Sequence, residues 1–301
     1  MKRNIQQATS LPWTAIAAQI SQLTRQAFTL ENLTSIGGGC INQTFCIRNQ
    51  DQQFFIKLNK AEYLAMFEAE TAGLEEILDS ASLRAPRPFC SGSGHGYAWL
   101  VLEYIDLQNQ GNAATLGIGL ANMHRHTAEK FGWIRDNTIG STPQRNTVDS
   151  DWIAFWRQQR LGYQLNLARE NGYTGSLQSL GERLLSGFQY FFMGYTPQPS
   201  LLHGDLWGGN YAFDTDGQPV IFDPAVYYGD READLAMTEL FGRFPPDFYA
   251  AYRDIWPADT GYATRKQLYK LYHILNHLNL FGSQYWNQAE TIMKKLLSEF
   301  D

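Results

Sequence analysis

Leu201-Leu-His-Gly-Asp-Leu-Trp-Gly-Gly-Asn210 runs directly into Tyr211-Ala-Phe213, a turn-forming Asp214-Thr-Asp-Gly217 and Pro219-Val-Ile-Phe-Asp223. His203, Asp205 and Asn210 stand at the spacing H-x-D-x-x-x-x-N, with which a loop presents one carboxylate to a substrate hydroxyl and one amide oxygen to a metal ion. Two short apolar runs closed by a Gly-containing turn predict a β-hairpin. Asn210 and Asp223 flank its open ends, so closing the hairpin brings their side chains together. A carboxylate and an amide oxygen meeting beside a second carboxylate suit a hard, oxygen-seeking cation such as Mg²⁺. Each piece alone is commonplace, since Asp serves turn chemistry and short motifs recur by chance. In this order they point to phosphoryl transfer.

The 301 residues suffice for one large or two medium domains, each able to bury a core. Apolar residues make up 44% and charged ones 18%, the composition of a folded chain. A formal net charge of −6 disfavours a nucleic-acid partner. No apolar run is long enough to span a bilayer, and Leu11–Ile20 is too polar for a signal-peptide core. Cys40, Cys46 and Cys90 form neither a disulfide framework nor a C-x-x-C zinc pattern. A reducing, cytoplasmic setting is expected.

Upstream, Pro12 precedes apolar positions Ile16, Ala17, Ile20 and Leu23, which is helix spacing over residues 12–27. Gly37-Gly38-Gly39-Cys40 leads into two strand-like runs, Thr44–Arg48 and Gln53–Leu58. Glycine turn and strands together predict a flap whose backbone amides cover phosphates. Lys57 interrupts the apolar Phe54-Phe-Ile-Lys-Leu58; it either snorkels from an edge or meets a carboxylate of the helix expected over Glu62–Leu78. Glu70 fits that partner best, with Glu62, Glu68 and Glu75 as alternatives.

Phe89–Ser93 and Tyr97–Tyr104 read as two further strands, and the change from apolar strand to polar loop at Glu103-Tyr104-Ile105-Asp106 marks a boundary between two lobes. A hinge backbone there offers the donor and acceptor that an adenine edge needs. Helical patterns follow. His124 and His126 lie at i, i+2, a poor metal pair expected on a polar face or helix end. Phe131 to Asp149 reads as a long polar loop in contact with substrate. Tyr227-Tyr-Gly-Asp230-Arg-Glu232-Ala-Asp234 reads as an acidic helix start, with Asp230 or Asp234 as a possible brace for the catalytic loop. His273 and His277 lie at i, i+4 without a third zinc ligand and are expected in packing or in a substrate pocket.

Phe55-Ile-Lys57-Leu-Asn59, Phe67-Glu-Ala-Glu70, the HGDLWGGN string at 203–210 and Asp223-Pro-Ala-Val-Tyr-Tyr-Gly-Asp-Arg-Glu-Ala-Asp-Leu-Ala-Met237 resemble the fructosamine (ketosamine) 3-kinase family, within the wider aminoglycoside-phosphotransferase-like group. So do Asp136–Gln144, Arg160–Leu167 and Leu271–Gly282. The resemblance implies an α+β, bilobal protein-kinase-like fold, with a small β-rich lobe at 1–105 and a larger helical lobe at 106–301. It implies ATP and Mg²⁺, and phosphorylation of the C3 hydroxyl of a ketosamine, free or protein-bound, whose unstable 3-phosphate then leaves in a deglycation step. Asp205 would be the base, Asn210 and Asp223 the Mg²⁺ ligands, and Lys57 the phosphate contact held by Glu70. Gly37, Gly38 and Gly39 would be the flap, Glu103, Tyr104 and Ile105 the adenine hinge, and Trp207 a platform for the sugar. Cys40 stands where other members carry an acid, which suggests a redox-sensitive thiol and a redox-linked homodimer as well as a monomer. Rival expectations are a kinase for another small hydroxylated substrate, such as an aminoglycoside, or a nucleotide-binding pseudokinase. The intact set Lys57, Asp205, Asn210 and Asp223 argues against the last.

Overall fold

In the computed structural model, which describes residues 11–37 and 41–299, strand alternation organises the first third of the chain. Helix α1 (Trp13–Thr24) is followed by β1 (Asn32–Ile36), β2 (Gln43–Arg48) and β3 (Gln53–Lys60). After a 3₁₀ turn come α2 (Leu64–Asp79), β4 (Pro88–Gly94) and β5 (Tyr97–Glu103). The five strands form one sheet in the order β1-β2-β3-β5-β4, every pair antiparallel. Side chains alternate between faces. Phe54, Ile56 and Leu58 of β3 join Trp99 and Val101 of β5 in a core with Trp13, Ile16 and Ile20 of α1. Ala98, Leu100 and Leu102 instead meet Phe67, Leu74 and Ile77 of α2. Each fully buried Ile, Leu or Phe contributes about 1.5–3 kcal/mol. Slipping one strand by one residue would turn its whole apolar set the wrong way.

Lys57 lies between Ile56 and Leu58 and opposite Leu100, so the same alternation turns it onto the α2 face. β3 is an interior strand, which removes the edge from which a lysine could snorkel.

The rest of the chain is mainly helical. α3 (Ala113–His124) is capped by Asn112, whose side chain accepts from the amides of Ala114 and Thr115. A small hairpin, β6 (Asn137–Ile139) and β7 (Thr142–Gln144), precedes α4 (Trp152–Phe155), a π turn at Trp156–Leu161, α5 (Gly162–Glu170) and α6 (Ser176–Ser186). β8 (Ser200–Leu202) leads to the hairpin β9 (Tyr211–Phe213) and β10 (Pro219–Ile221), after which β11 (Tyr227–Gly229) returns to pair with β8. α7 (Glu232–Met237), α8 (Pro246–Ile255), α9 (Tyr262–Phe281) and α10 (Trp286–Leu297) complete the chain. α9 buries Leu268, Leu271, Tyr272, Leu275 and Leu278 at helical spacing. Its core is continuous with the α2 face of the sheet.

Two local expectations are corrected and a third is met in part. His124 stands in the last turn of α3, the helix end expected of it, but is fully buried rather than on a polar face, bonded to the Tyr252 hydroxyl at 2.7 Å and to Asp234 at 3.2 Å. Residues 131–149 are not a plain polar loop, because they carry the β6–β7 hairpin and bury Asn137, Thr142, Gln144 and Asn146. Tyr227 opens a strand, and the helix begins only at Glu232. The acids Asp230, Glu232 and Asp234 are all buried there, so they serve specific partners rather than an exposed helix end. No helix among the described residues is long and apolar enough to cross a membrane.

Candidate active site

Lys57 is buried, and its Nζ donates to the Glu70 carboxylate and to Asp223 Oδ1, the latter at 2.6 Å. Burial alone would lower the ammonium's pKa, but Asp223 and then Glu70 outweigh it and raise it. Glu70 is the partner because α2 turns it towards the sheet. Glu68 instead pairs with Arg135 at 3.6 Å and Glu62 with Lys60 at 3.9 Å, both outside this cluster.

The 203–210 loop is fixed from below. The amides of His203 and Gly204 donate to the two oxygens of buried Asp234, at 2.7 and 2.9 Å. His203 Nε2 donates to the Phe222 carbonyl at 3.0 Å, while its Nδ1 accepts from the Asp205 amide at 3.3 Å. A carbonyl only accepts, so this pattern fixes a neutral ring with its proton on Nε2. Burial lowers the His203 pKa in the same sense. Asp234 is buried, which would raise its carboxyl, but the His124 contact and the Gly204 amide hold it low. Of the two acids considered as braces, Asp234 touches the loop; Asp230 bonds instead to Tyr195 and Tyr269.

Gly204 allows a close approach. Its φ is +82°, and a Cβ there would lie 2.1 Å from the Ala225 carbonyl oxygen. The Ala225 amide returns a bond to the His203 carbonyl at 2.8 Å. The loop and the segment after Asp223 are thus laced backbone to backbone. Asp223 itself has φ 58°, a left-handed conformation that Asp tolerates better than most residues.

Asn210 Nδ2 donates to the Asp205 carbonyl at 2.8 Å and to Asp205 Oδ2 at 3.3 Å. The Phe222 amide donates to the Asn210 carbonyl at 3.0 Å, closing the hairpin's open end beside Asp223. Burial, then the Asp223 charge, raises the Asp205 carboxyl well above the usual carboxylate range. Asp205, Asn210 and Asp223 line one cavity of about 630 Å³ with Lys57, Glu70 and Trp207.

The donor set fits Mg²⁺. Asn210 commits its amide nitrogen to Asp205, which leaves its oxygen to accept, and two mutually repelling carboxylates stand beside it. No group of three or more His, Cys, Asp and Glu able to hold a metal occurs among the described residues. A few hard oxygens completed by water and phosphate is the Mg²⁺ pattern rather than an all-protein cage.

Gly38, Gly39 and Cys40 lie outside the described residues, and exposed Gly37 stands just before them. Glu103, Tyr104 and Ile105 are not among the residues lining the cavity. The Glu103 amide donates to the Arg87 carbonyl at 2.8 Å, and its carboxylate accepts from Arg84 at 3.1 Å.

The far wall is expected in part, since the sequence places substrate contact within 131–149 and offers His277 as a pocket residue, whereas Phe241, Phe281 and Tyr285 are not singled out as site residues. It consists of Asn137–Gly140 of the β6–β7 hairpin and an aromatic cluster from Phe241, His277, Phe281 and Tyr285. The His277 ring lies 4.5 Å from Phe241 and 5.2 Å from both Phe281 and Tyr285; Trp207 joins at 6.3 Å from Phe241. The motif strings 136–144 and 271–282 held most of these residues, but their orientation depends on tertiary packing. His273, four residues before His277, is buried instead.

A family model described as fructosamine kinase matches residues 12–299. A probable ketoamine kinase of Synechocystis is 47% identical over 95% of this chain and 97% of its own length. A chloroplastic protein-ribulosamine 3-kinase of Arabidopsis thaliana is 42% identical over 95% of this chain and 86% of its own. Among solved structures, a Haemophilus somnus protein of proposed fructosamine-3-kinase activity superposes with a TM-score of 0.88 at 27% identity, covering 95% of this chain and 97% of that one.

Proposed function

The chain belongs to the fructosamine kinase family, and from that premise we propose that it transfers the γ-phosphoryl group of ATP to the C3 hydroxyl of ketosamines. Its fold is α+β and protein-kinase-like. The observation that carries the reading is the convergence of Lys57, Glu70, Asp205, Asn210 and Asp223 on one cavity.

Lys57, held by Glu70, neutralises and orients the ATP phosphates. Asp205 faces the acceptor hydroxyl; that oxygen attacks the γ-phosphorus, ADP leaves, and the proton passes to the Asp205 carboxylate. Asn210 and Asp223 would hold Mg²⁺, which would supply positive charge to offset that of the phosphates. Asp234 and His203 keep the loop in place without touching substrate. By the family resemblance the glycine turn that follows Gly37 would serve the phosphates and the backbone at Glu103–Ile105 the adenine, with the Glu103 amide already committed to the Arg87 carbonyl. The lobe up to residue 105 thus contributes Lys57 and Glu70 to the nucleotide, while the lobe from 106 onward contributes Asn210 and Asp223 for its metal and Asp205 for the acceptor. Trp207, 38% exposed at the mouth, supports the sugar. The 3-phosphate then eliminates as inorganic phosphate, and water hydrolyses the resulting imine, which frees the amine, releases a dicarbonyl sugar and completes deglycation in the cytoplasm.

The wall chemistry supports a ketosamine over a polycationic aminoglycoside. Glu70, Asp205 and Asp223 are the carboxylates lining the cavity, and the first and last already pair with Lys57. A single amine can lie against the aromatic faces, whereas several ammonium groups would lack carboxylate partners. ATP turnover with Mg²⁺ should be measured on fructoselysine, ribuloselysine and an aminoglycoside. The two ketosamines are expected to turn over; phosphorylation of the aminoglycoside alone would refute the reading.

A further inference from the structure

Arg160 is fully buried in the π turn, and among the described residues no carboxylate pairs with it. Its guanidinium lies 4.1 Å over the Tyr227 ring and 4.8 Å over Phe155, which compensates the charge in part. What it does with its donors is directional. Nη2 donates to Asn146 Oδ1 at 2.7 Å. With its oxygen occupied, Asn146 donates through Nδ2 to Asn137 Oδ1 at 3.0 Å. Asn137 in turn donates through Nδ2 to the Val226 carbonyl at 2.8 Å. Beside this chain, the Tyr272 hydroxyl donates to Gln144 Oε1 at 2.7 Å, and Gln144 Nε2 donates to Asn137 Oδ1 at 2.8 Å and to the Ala225 carbonyl at 3.1 Å.

An arginine only donates and a carbonyl only accepts. With Arg160 at one end and two carbonyls at the other, each amide between them has one orientation that satisfies it. The receiving carbonyls belong to Ala225 and Val226, directly after Asp223-Pro224. Asp223 is in a left-handed conformation that persists only when its surroundings hold it. Lys57 holds its side chain, and the amides hold the backbone downstream.

We propose that Asn137 and Gln144, oriented by Arg160 through Asn146 and by Tyr272, are positioning residues that set the backbone carrying Asp223. This rests on the reading above, in which Asp223 holds the divalent ion. Gln144→Glu replaces the donating nitrogen with an oxygen facing two acceptors. Its Kd for Mn²⁺, titrated into the enzyme with a non-hydrolysable ATP analogue and followed by electron paramagnetic resonance, is expected to rise about tenfold. kcat is expected to fall about tenfold or more, with KM for the ketosamine within about threefold of wild type. Gln178→Ala breaks a buried amide that is bonded to the Leu165 and Tyr173 carbonyls and does not line the cavity, and controls for lost stability. Wild-type Mn²⁺ affinity and kcat in Gln144→Glu, or equal losses in Gln178→Ala, would overturn the proposal. If Gln144→Glu does not fold, the milder Tyr272→Phe decides: a threefold or larger change in both quantities supports the assignment and none refutes it. A failure of the underlying reading looks different, because Asp223→Asn would then bind Mn²⁺ as tightly as wild type.

Discussion

His273 shows how much one turn of helix changes a residue's chemistry. It lies about 6 Å along α9 from His277, far enough to move from the aromatic wall into the core. The i, i+4 spacing announced a shared face but not where along the axis the core ends. Its Nδ1 has no partner among the described residues, and burial, then His277, holds its pKa near about 3, with Asp234 opposing and Arg160 reinforcing. The unfolded chain takes up that proton near 6.5. The unfolded state is therefore the first to be protonated, so this group's contribution is whole above about pH 6.5 and is lost as the pH falls from there towards 3. The loss is about 1.4 kcal/mol per pH unit. His273→Phe cannot take up the proton, so its stability should fall less than wild type's between pH 7 and 5.5, by about 1.4 kcal/mol in urea titrations. Parallel losses in the two proteins would mean that His273 is not held neutral. Glu70 was similarly underdetermined: four glutamates were within reach in the sequence, and only packing of α2 on the sheet turns one of them inward.

The β9–β10 hairpin was legible because everything that makes it is local: alternating apolar residues, a Gly turn and polar residues at its open end. The β6–β7 hairpin was not, because what holds it lies far away. Asn137 reaches a carbonyl 89 residues on and Gln144 one 81 residues on, so a stretch that is polar in sequence is buried in space. The same distance hid the reason for Gly204, which lies in the approach between the 203–210 loop and Ala225. Alanine there would combine a left-handed backbone with a Cβ 2.1 Å from a carbonyl oxygen. Gly204→Ala is expected to lose about 2–4 kcal/mol and most of its activity, as read by urea unfolding and turnover. A variant as stable and active as wild type would show that the two segments need not lie so close.

The two-layer start and the helical remainder were visible as a switch in apolar period, and the cluster Lys57, Asp205, Asn210 and Asp223 as motifs. Their convergence was not, since Lys57 and Asp223 meet at 2.6 Å across 166 positions of chain. That contact joins the sheet to the hairpin side of the cavity, so a nucleotide gripping Lys57 and a metal on Asp223 should stabilise both parts together. A ligand at 100 times its Kd adds about 2.7 kcal/mol to stability, a rise of several degrees in melting temperature for a chain of this size. Wild type with ATP analogue and Mg²⁺ should show that rise. Asp205→Asn should keep it while turnover drops by about 10²-fold or more, because the carboxylate acts on the acceptor hydroxyl rather than on ATP. Lys57→Ala should lose both the rise and the turnover. A full melting shift in Lys57→Ala would place the nucleotide away from this lysine, and turnover preserved in Asp205→Asn would move the proton acceptor elsewhere.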